Sequence, residues 1–284
     1  MKRIAWVTDI HLNFVGGDGV RAFLDDVASR FPDAVLLGGD IGEATNVVDY
    51  LRQMAQAWPF PVFFVLGNHD FYCGSVEAVR AGAARLCGEF PSLHYLTHAA
   101  VCELSPTTGL VGHDGWADAR LGDYERSNVM LNDYLMIQEL ANASPHVDPE
   151  MRLLDKNSRL PLLRALADAA AEHVRRVLPA ALDKYPQVFV LTHVPPFHEA
   201  CWHEGRLSDD EWLPHFSCKA VGDALLEIAA AYPQRRLTVL CGHTHGRGEA
   251  MLLHNLHVLT GGARYRFPEV QRVFEIDYTS RGPD

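Results

Sequence analysis

The sequence predicts an α/β fold built on parallel strands, and three observations predict it. Apolar runs of strand length alternate with helical patterns in the first third of the chain. The same alternation returns in the last third. Several of these runs end on glycine or on a small polar cluster, as strands do at a sheet edge where they enter loops.

Taken in order, Arg3 to Thr8 reads as the first strand. Val20 to Arg30 reads as a helix because Val20, Phe23, Leu24 and Val27 fall on one face. Ala34 to Leu37 is the second strand, ended by Gly38-Gly39. Thr45 to Trp58 is the second helix, stopped by Pro59-Phe60-Pro61. Val62 to Leu66 is the third strand, ended by Gly67, and Ser75 to Leu86 is the third helix. A βαβαβα order implies parallel strands joined by right-handed crossovers. Leu93 to Val111 reads as short antiparallel strands. From Asp114 to about Pro179 the chain turns mainly helical and polar, with helices near Ser127–Asn142 and Leu160–Leu178. That stretch, about 114–180, is expected to be an insertion or lid within a single domain over 1–284. Val188 to Leu191 is again a strand, and Phe197 to Phe216 a long loop rich in Trp, His and acids. The helix Ala220 to Tyr232 and the strand Leu237 to Leu240 follow. Short strands near Ala250–Leu253, His257–Leu259 and Val270–Ile276 close the chain.

The composition is that of an ordinary globular protein, 48% hydrophobic and 21% charged over 284 residues. The formal net charge is -11. A nucleic-acid surface needs a basic patch to neutralise phosphates. The densest basic pairs, Arg175-Arg176 and Arg235-Arg236, read as solvated helix and turn positions. Nucleic acid is therefore not an expected partner. The six cysteines form no C-x-x-C pair, which argues against a zinc knuckle or a redox motif. The first residues run straight into a core strand without the apolar stretch of a signal peptide, and no run reaches membrane-span length. A cytoplasmic protein with reduced thiols is the expectation.

Five polar clusters stand at the ends of five apolar runs. They are Asp9-Ile10-His11, Gly39-Asp40, Gly67-Asn68-His69-Asp70, Thr192-His193 and Gly242-His243-Thr244-His245. Carboxyl ends of parallel strands share one sheet edge, so clusters distant in sequence can meet in one crevice. One such cluster alone reads as a helix cap, a turn or a structural histidine. Five in this order point to a metal site. The donors are carboxylate, amide and imidazole with no thiolate, a set that suits Mn, Fe, Zn or Co.

The order D-x-H, G-D, G-N-H-D, a strand-end His and G-H-x-H resembles the calcineurin-like metallophosphoesterases, and it spans Asp9 to His245. The resemblance implies a four-layer α/β/β/α double β-sandwich with two divalent metal ions, Mn, Fe or Zn. It implies that Asp9, His11 and His245 hold one ion and Asn68, His193 and His243 the other. Asp40 would bridge both through its carboxylate. His69 would face the scissile phosphate as acid or charge stabiliser. Two ions about 3.5–4 Å apart can clamp the attacking and leaving oxygens, and a water they share loses its proton near neutral pH. A histidine in that role needs an orienting carboxylate. Asp70 is adjacent in sequence. Glu43, three residues after Asp40, is the candidate orienter that the resemblance suggests, with a helix cap or a surface acid as the alternative.

Departures from the family pattern bear on substrate. Ala44 follows Glu43 where protein Ser/Thr phosphatases of this superfamily carry Arg, and His69 stands where its lipid A pathway hydrolases carry Arg. The expectation is a hydrolase of a small phosphorylated substrate, a phosphodiesterase by preference because diesters carry less charge. A phosphomonoesterase, a nuclease or a protein-binding scaffold, as the retromer subunit of this fold is, are the alternatives. His113, Asp114 and Trp116, with His198, Trp202, His203, Trp212 and His215, either line a substrate entrance or pack a folded lid. His94, His98, His146, His173, His254 and His257 match no motif and read as structural or exposed.

Overall fold

The computed structural model describes residues 1–143 and 155–277. Two sheets carry the fold. The first begins with β1 (Lys2–Val7), β2 (Ala34–Gly38), β3 (Val62–Val65) and β4 (Leu93–Tyr95), all parallel. The second holds β5 (Cys102–Ser105), β6 (Thr108–His113) and β7 (Gln187–Thr192). A small hairpin, β8 (Trp202–His203) with β9 (Arg206–Leu207), stands apart. The second sheet is completed by β10 (Arg236–Cys241), β11 (Gly248–Leu253) and β12 (Leu256–Thr260). Finally β13 (Arg272–Ile276) returns to the first sheet, antiparallel beside β1. The strand orders are β13-β1-β2-β3-β4 and β11-β12-β10-β7-β6-β5.

Period-two alternation explains why these strands are apolar on both sides. Ile4, Trp6, Leu36, Phe63 and Val65 point into a core shared with Leu110, Phe189, Leu191, Leu240 and Leu259 of the second sheet. Their neighbours Ala5, Val7, Val35, Leu37, Val62 and Phe64 point outward into a helix-covered core. Truncating one such residue, for example Leu36→Ala, would cost about 2–5 kcal/mol through lost transfer energy and a cavity.

The helices over the first sheet are α1 (Gly17–Ser29), α2 (Val47–Ala57) and α3 (Val76–Glu89). On α1 the expected stripe of Val20, Phe23, Leu24 and Val27 is buried. On α2 it is Val47, Leu51 and Met54, and the helix gives way to extended backbone at Trp58, whose indole donates to Leu24 O at 3.0 Å. Ser75 caps α3, its hydroxyl accepting from Ala78 N at 3.1 Å.

Two short helices follow, α4 (Asp133–Met136) and α5 (Gln138–Ala141), then the long α6 (Lys156–Lys184). Helix α6 packs on β6, on β7 and on α8 (Lys219–Ala231), forming the outer layer of the second sheet. The short α7 (Leu213–Phe216) precedes α8. The layers are thus helix, sheet, sheet, helix, the α/β/β/α arrangement expected. No helix among the described residues is long and apolar enough to cross a membrane. The six cysteines are free.

Two local expectations are corrected. Leu93–Tyr95 pairs with β3 in parallel, not antiparallel, because the α3 crossover brings the chain back in the same direction. The helix expected over Ser127–Asn142 is only the pair α4 and α5. Ile137 is extended between them because it bridges Gly74, with Gln138 N donating to Gly74 O at 3.0 Å. A tertiary contact overrides local helical preference there. His146 lies outside the described residues.

Candidate metal centre

The five polar clusters meet where the carboxyl ends of β1, β2, β3, β7 and β10 converge between the two sheets. Beyond the strands, the loops after β1 and β2 stay side by side. Asp9 N donates to Gly39 O at 3.0 Å and His11 N to Asp40 O at 2.9 Å. These contacts hold the backbone in an unusual shape. Asp9, His11, Asp40, His243 and His245 all have positive φ, between 41° and 69°. Left-handed backbone at a non-glycine residue costs about 1–3 kcal/mol and persists where the surroundings enforce it, often at functional sites. The flanking glycines allow the approach. A Cβ on Gly67 would collide with Asp40 Oδ1, and one on Gly242 with the Asp9 carboxylate.

The seven motif donors form two groups that share Asp40. In the first, one donor atom each from Asp9, His11, Asp40 and His245 lie within 4.8 Å of one another. His11 Nε2 is 3.1 Å from His245 Nε2 and 3.6 Å from Asp40 Oδ2. His245 Nε2 is 3.6 Å from Asp9 Oδ1. In the second, Asn68 Oδ1 is 3.1 Å from His193 Nε2 and 2.9 Å from His243 Nδ1. His193 Nε2 is 3.4 Å from Asp40 Oδ1. The two oxygens of Asp40 therefore face different groups.

These approaches are not ion pairs. Burial, reinforced by neighbouring imidazoles, pushes His11 far below the ordinary histidine range. Burial likewise lowers His193 and His243, and takes His245 down to about 4. Neutral rings present lone pairs. His193 Nδ1 is 2.8 Å from Gly38 O and His243 Nε2 is 3.1 Å from His215 O, so those nitrogens carry the protons and donate. The opposite nitrogens then aim lone pairs at Asn68 Oδ1, itself an acceptor. Asn68 cannot answer with its amide NH2, which donates to Asp133 Oδ1 at 2.8 Å. Lone pairs crowding one point without a proton among them are what a cation requires, so the residues present fit a bound divalent ion.

The profile of the family described as calcineurin-like phosphoesterase matches residues 2–247. The chain belongs to that family. No curated protein sequence matches. Solved structures match at the level of the fold. A dimetal phosphatase from Danio rerio is 16% identical, with a TM-score of 0.58, over 94% of this chain and 89% of that one. The phosphopantetheinyl hydrolase of Mycobacterium tuberculosis is 15% identical, with a TM-score of 0.60, over 93% of this chain and 89% of that one. Calcineurin-like phosphoesterases act on phosphoric esters with a dinuclear metal centre, and the donor groups above are the candidate ligands in this one.

In this phosphoesterase His69 stands at the wall of a cleft of about 310 Å3 that opens over both donor groups. Its backbone N–H donates to Asp40 Oδ1 at 2.9 Å. Its ring stacks on Tyr72 at 4.3 Å and lies 4.6 Å from the His11 ring. Neither acid suggested by the sequence orients it. The Asp70 carboxylate turns away and accepts from the backbone N–H groups of Ile41, Gly42 and Gly67, each at 2.8 Å. Adjacent side chains diverge, and Asp70 instead ties the loops of Asp40 and Asn68 together. Glu43 Oε1 accepts from Asn13 Nδ2 at 3.1 Å. His69 Nδ1 is buried with no hydrogen-bond partner.

The residues offered as an entrance divide. His113, Asp114 and Trp116 are buried in the body of the phosphoesterase. Asp114 accepts from Leu66 N, Tyr95 OH, Thr97 OH and Arg80 Nε, between 2.6 and 2.9 Å. The Arg80 guanidinium leads the forces that hold Asp114 below the carboxylate range despite burial. His203 and Phe216 line the cleft. His215 is buried, bonded to Ser127 Oγ at 2.9 Å and to Tyr134 OH, and burial lowers it to about 4. Trp202 donates to Glu199 O at 3.0 Å, Trp212 stacks on His203, and His198 is exposed.

Sequence reasoning missed Asp133, Tyr72 and Tyr265, which also line the cleft. Tyr265 packs 4.6 Å from the His11 ring and 5.2 Å from that of His245. It lies in the loop after β12, a parallel strand ending on the same edge. That placement is the signal that could have found it. Asp133 sits in no motif, and nothing local marks it.

Proposed function

We propose that this phosphoesterase hydrolyses small phosphodiesters at a two-cation centre. Asp9, His11 and His245 would hold one cation, Asn68, His193 and His243 the other, and Asp40 both. When bound, the cations supply a deprotonated water near neutral pH and neutralise charge on the phosphoryl oxygens. The protein's part is to fix the donors before substrate arrives. His69, in the wall of the cleft, would protonate or stabilise a leaving oxygen. Mn, Fe and Zn all suit this donor set.

The observation that carries the diester preference is the cleft lining. Among the described residues that line it, none is Lys or Arg. A monoester dianion gains most from cationic side chains beyond the metals, whereas a diester monoanion needs fewer. The lining instead adds apolar surface from Met130, Leu131, Phe216 and Tyr265, suited to an organic group on the second ester oxygen. The acidic protein gives no support for nucleic acid as substrate.

The test is hydrolysis of paired chromogenic phosphate mono- and diesters by metal-stripped protein reloaded with Mn, Fe, Zn or Co one at a time. Faster diester turnover is expected. Faster monoester turnover would overturn the preference, and no turnover with two cations bound would favour a binding scaffold.

A further inference from the structure

Asp133 opens α4, in the stretch between β6 and α6, 65 residues from Asn68 in sequence. It is buried at 6% exposure. One of its oxygens, Oδ1, accepts two hydrogen bonds, from Asn68 Nδ2 at 2.8 Å and from Tyr72 OH at 2.6 Å. A carboxylate only accepts, so it dictates which end of the Asn68 amide faces it. The NH2 must turn toward Asp133, and the carbonyl oxygen must turn toward His193 and His243.

The alternative orientation explains why this matters. Rotated by 180°, the Asn68 amide would donate to His193 Nε2 and His243 Nδ1, which lie 3.1 and 2.9 Å from the present oxygen. That arrangement satisfies both imidazoles and the amide N–H groups without a cation. A site so satisfied would have to break two hydrogen bonds before binding one. Asp133 forbids it, because the flipped amide would set an oxygen against the Asp133 carboxylate.

We infer that Asp133 is a positioning residue that holds the Asn68 carbonyl toward the second cation and blocks a cation-free, self-satisfied form of that half of the centre. Asp133 also lines the substrate cleft beside Leu131 and Asn132. The segment that carries substrate-facing side chains therefore also sets the affinity of one cation site. The other donor group, Asp9, His11 and His245, makes no hydrogen bond with Asp133. The effect is confined to one of two sites.

The inference rests on the two-cation reading, and the experiment separates the two. Titration calorimetry of metal-stripped protein with Mn2+ should find two sites in the natural protein; fewer would overturn the two-cation reading itself. Given two sites, Asp133→Ala should weaken one of them about 10–100-fold and leave the other unchanged, the range seen when a residue orienting a metal ligand is removed. Asp133→Asn, whose amide can turn its NH2 toward a flipped Asn68 oxygen, should weaken the same site, though less than Ala. Should Asp133→Ala fail to fold, Asp133→Glu carries the same test: the carboxylate shifts by a methylene, and one site should again weaken selectively. Two intact sites in the Ala, Asn or Glu variant, or equal loss at both sites, would each overturn the inference.

Discussion

Asn68 Oδ1 lies 2.9 Å from His243 Nδ1, while the other nitrogen of that ring is occupied by the His215 carbonyl 3.1 Å away. Two acceptors are thus held at hydrogen-bond distance with no hydrogen to share. The same clash recurs between Asn68 and His193. The fold brings these groups together at a cost that a divalent cation removes.

Stability should therefore follow cation occupancy. Each cation that binds only the folded form adds about 2.7 kcal/mol at a hundred times its Kd. Thermal melts with added Mn2+ and with chelator should differ by several degrees. In Asp40→Asn, where the shared carboxylate is lost, the difference should shrink sharply and turnover should fall by at least about 100-fold. Equal melts with and without cation would contradict this.

His69 should matter for turnover and not for cation affinity. His69→Ala is expected to lower kcat by about 100- to 10,000-fold, the usual range for a general acid. Mn2+ binding should stay within a few-fold of the natural protein, since only the backbone N–H of His69 touches Asp40. The effect should be smallest on esters whose leaving group needs no proton, so a nitrophenolate ester and an alkyl ester compared side by side are the check.

Asp70 should be a stability residue. Its carboxylate serves three buried backbone N–H groups. Asp70→Ala would leave all three unsatisfied, at about 1–3 kcal/mol each. Denaturant unfolding in chelator should show a loss of about 3 kcal/mol or more. A loss below about 1 kcal/mol would mean that water replaces the carboxylate.

Acid should destabilise the cation-free protein through its buried neutral histidines. His215 is lowered by burial to about 4 and His113 to about 3, against about 6.5 in the unfolded chain. Between those values the unfolded rings bind protons and the folded ones do not. Stability is then fully present above about pH 6.5 and is lost as pH falls toward about 4. For His215 the shift corresponds to roughly 3 kcal/mol. Urea unfolding in chelator across pH 8 to 4 reads it. A flat profile would show that these rings bind protons equally well folded.

The parallel βαβ order was legible because Val20, Phe23, Leu24 and Val27 repeat at helical spacing and strand runs buried on both faces are apolar throughout. The seven donors were legible for a related reason. Each lies within a few residues of the end of a strand, and five of the seven take positive φ there, Asn68 and His193 being the exceptions. The helix expected over Ser127–Asn142 was not legible as two pieces, since its break at Ile137 depends on Gly74, far away along the chain. Asp70 and Glu43 show the same limit, for adjacency in sequence says little about where a side chain points once its partners are packed around it. The sequence by itself determined the fold class, which follows from short-range pattern, and through its motif order it nominated the candidate donors. Only the tertiary structure decided which way the Asn68 amide faces, that Asp70 holds loops rather than His69, and that Asp133 and Tyr265 join the cleft. Those outcomes depend on hydrogen bonds and packing between distant residues, which form only when the two sheets close on each other.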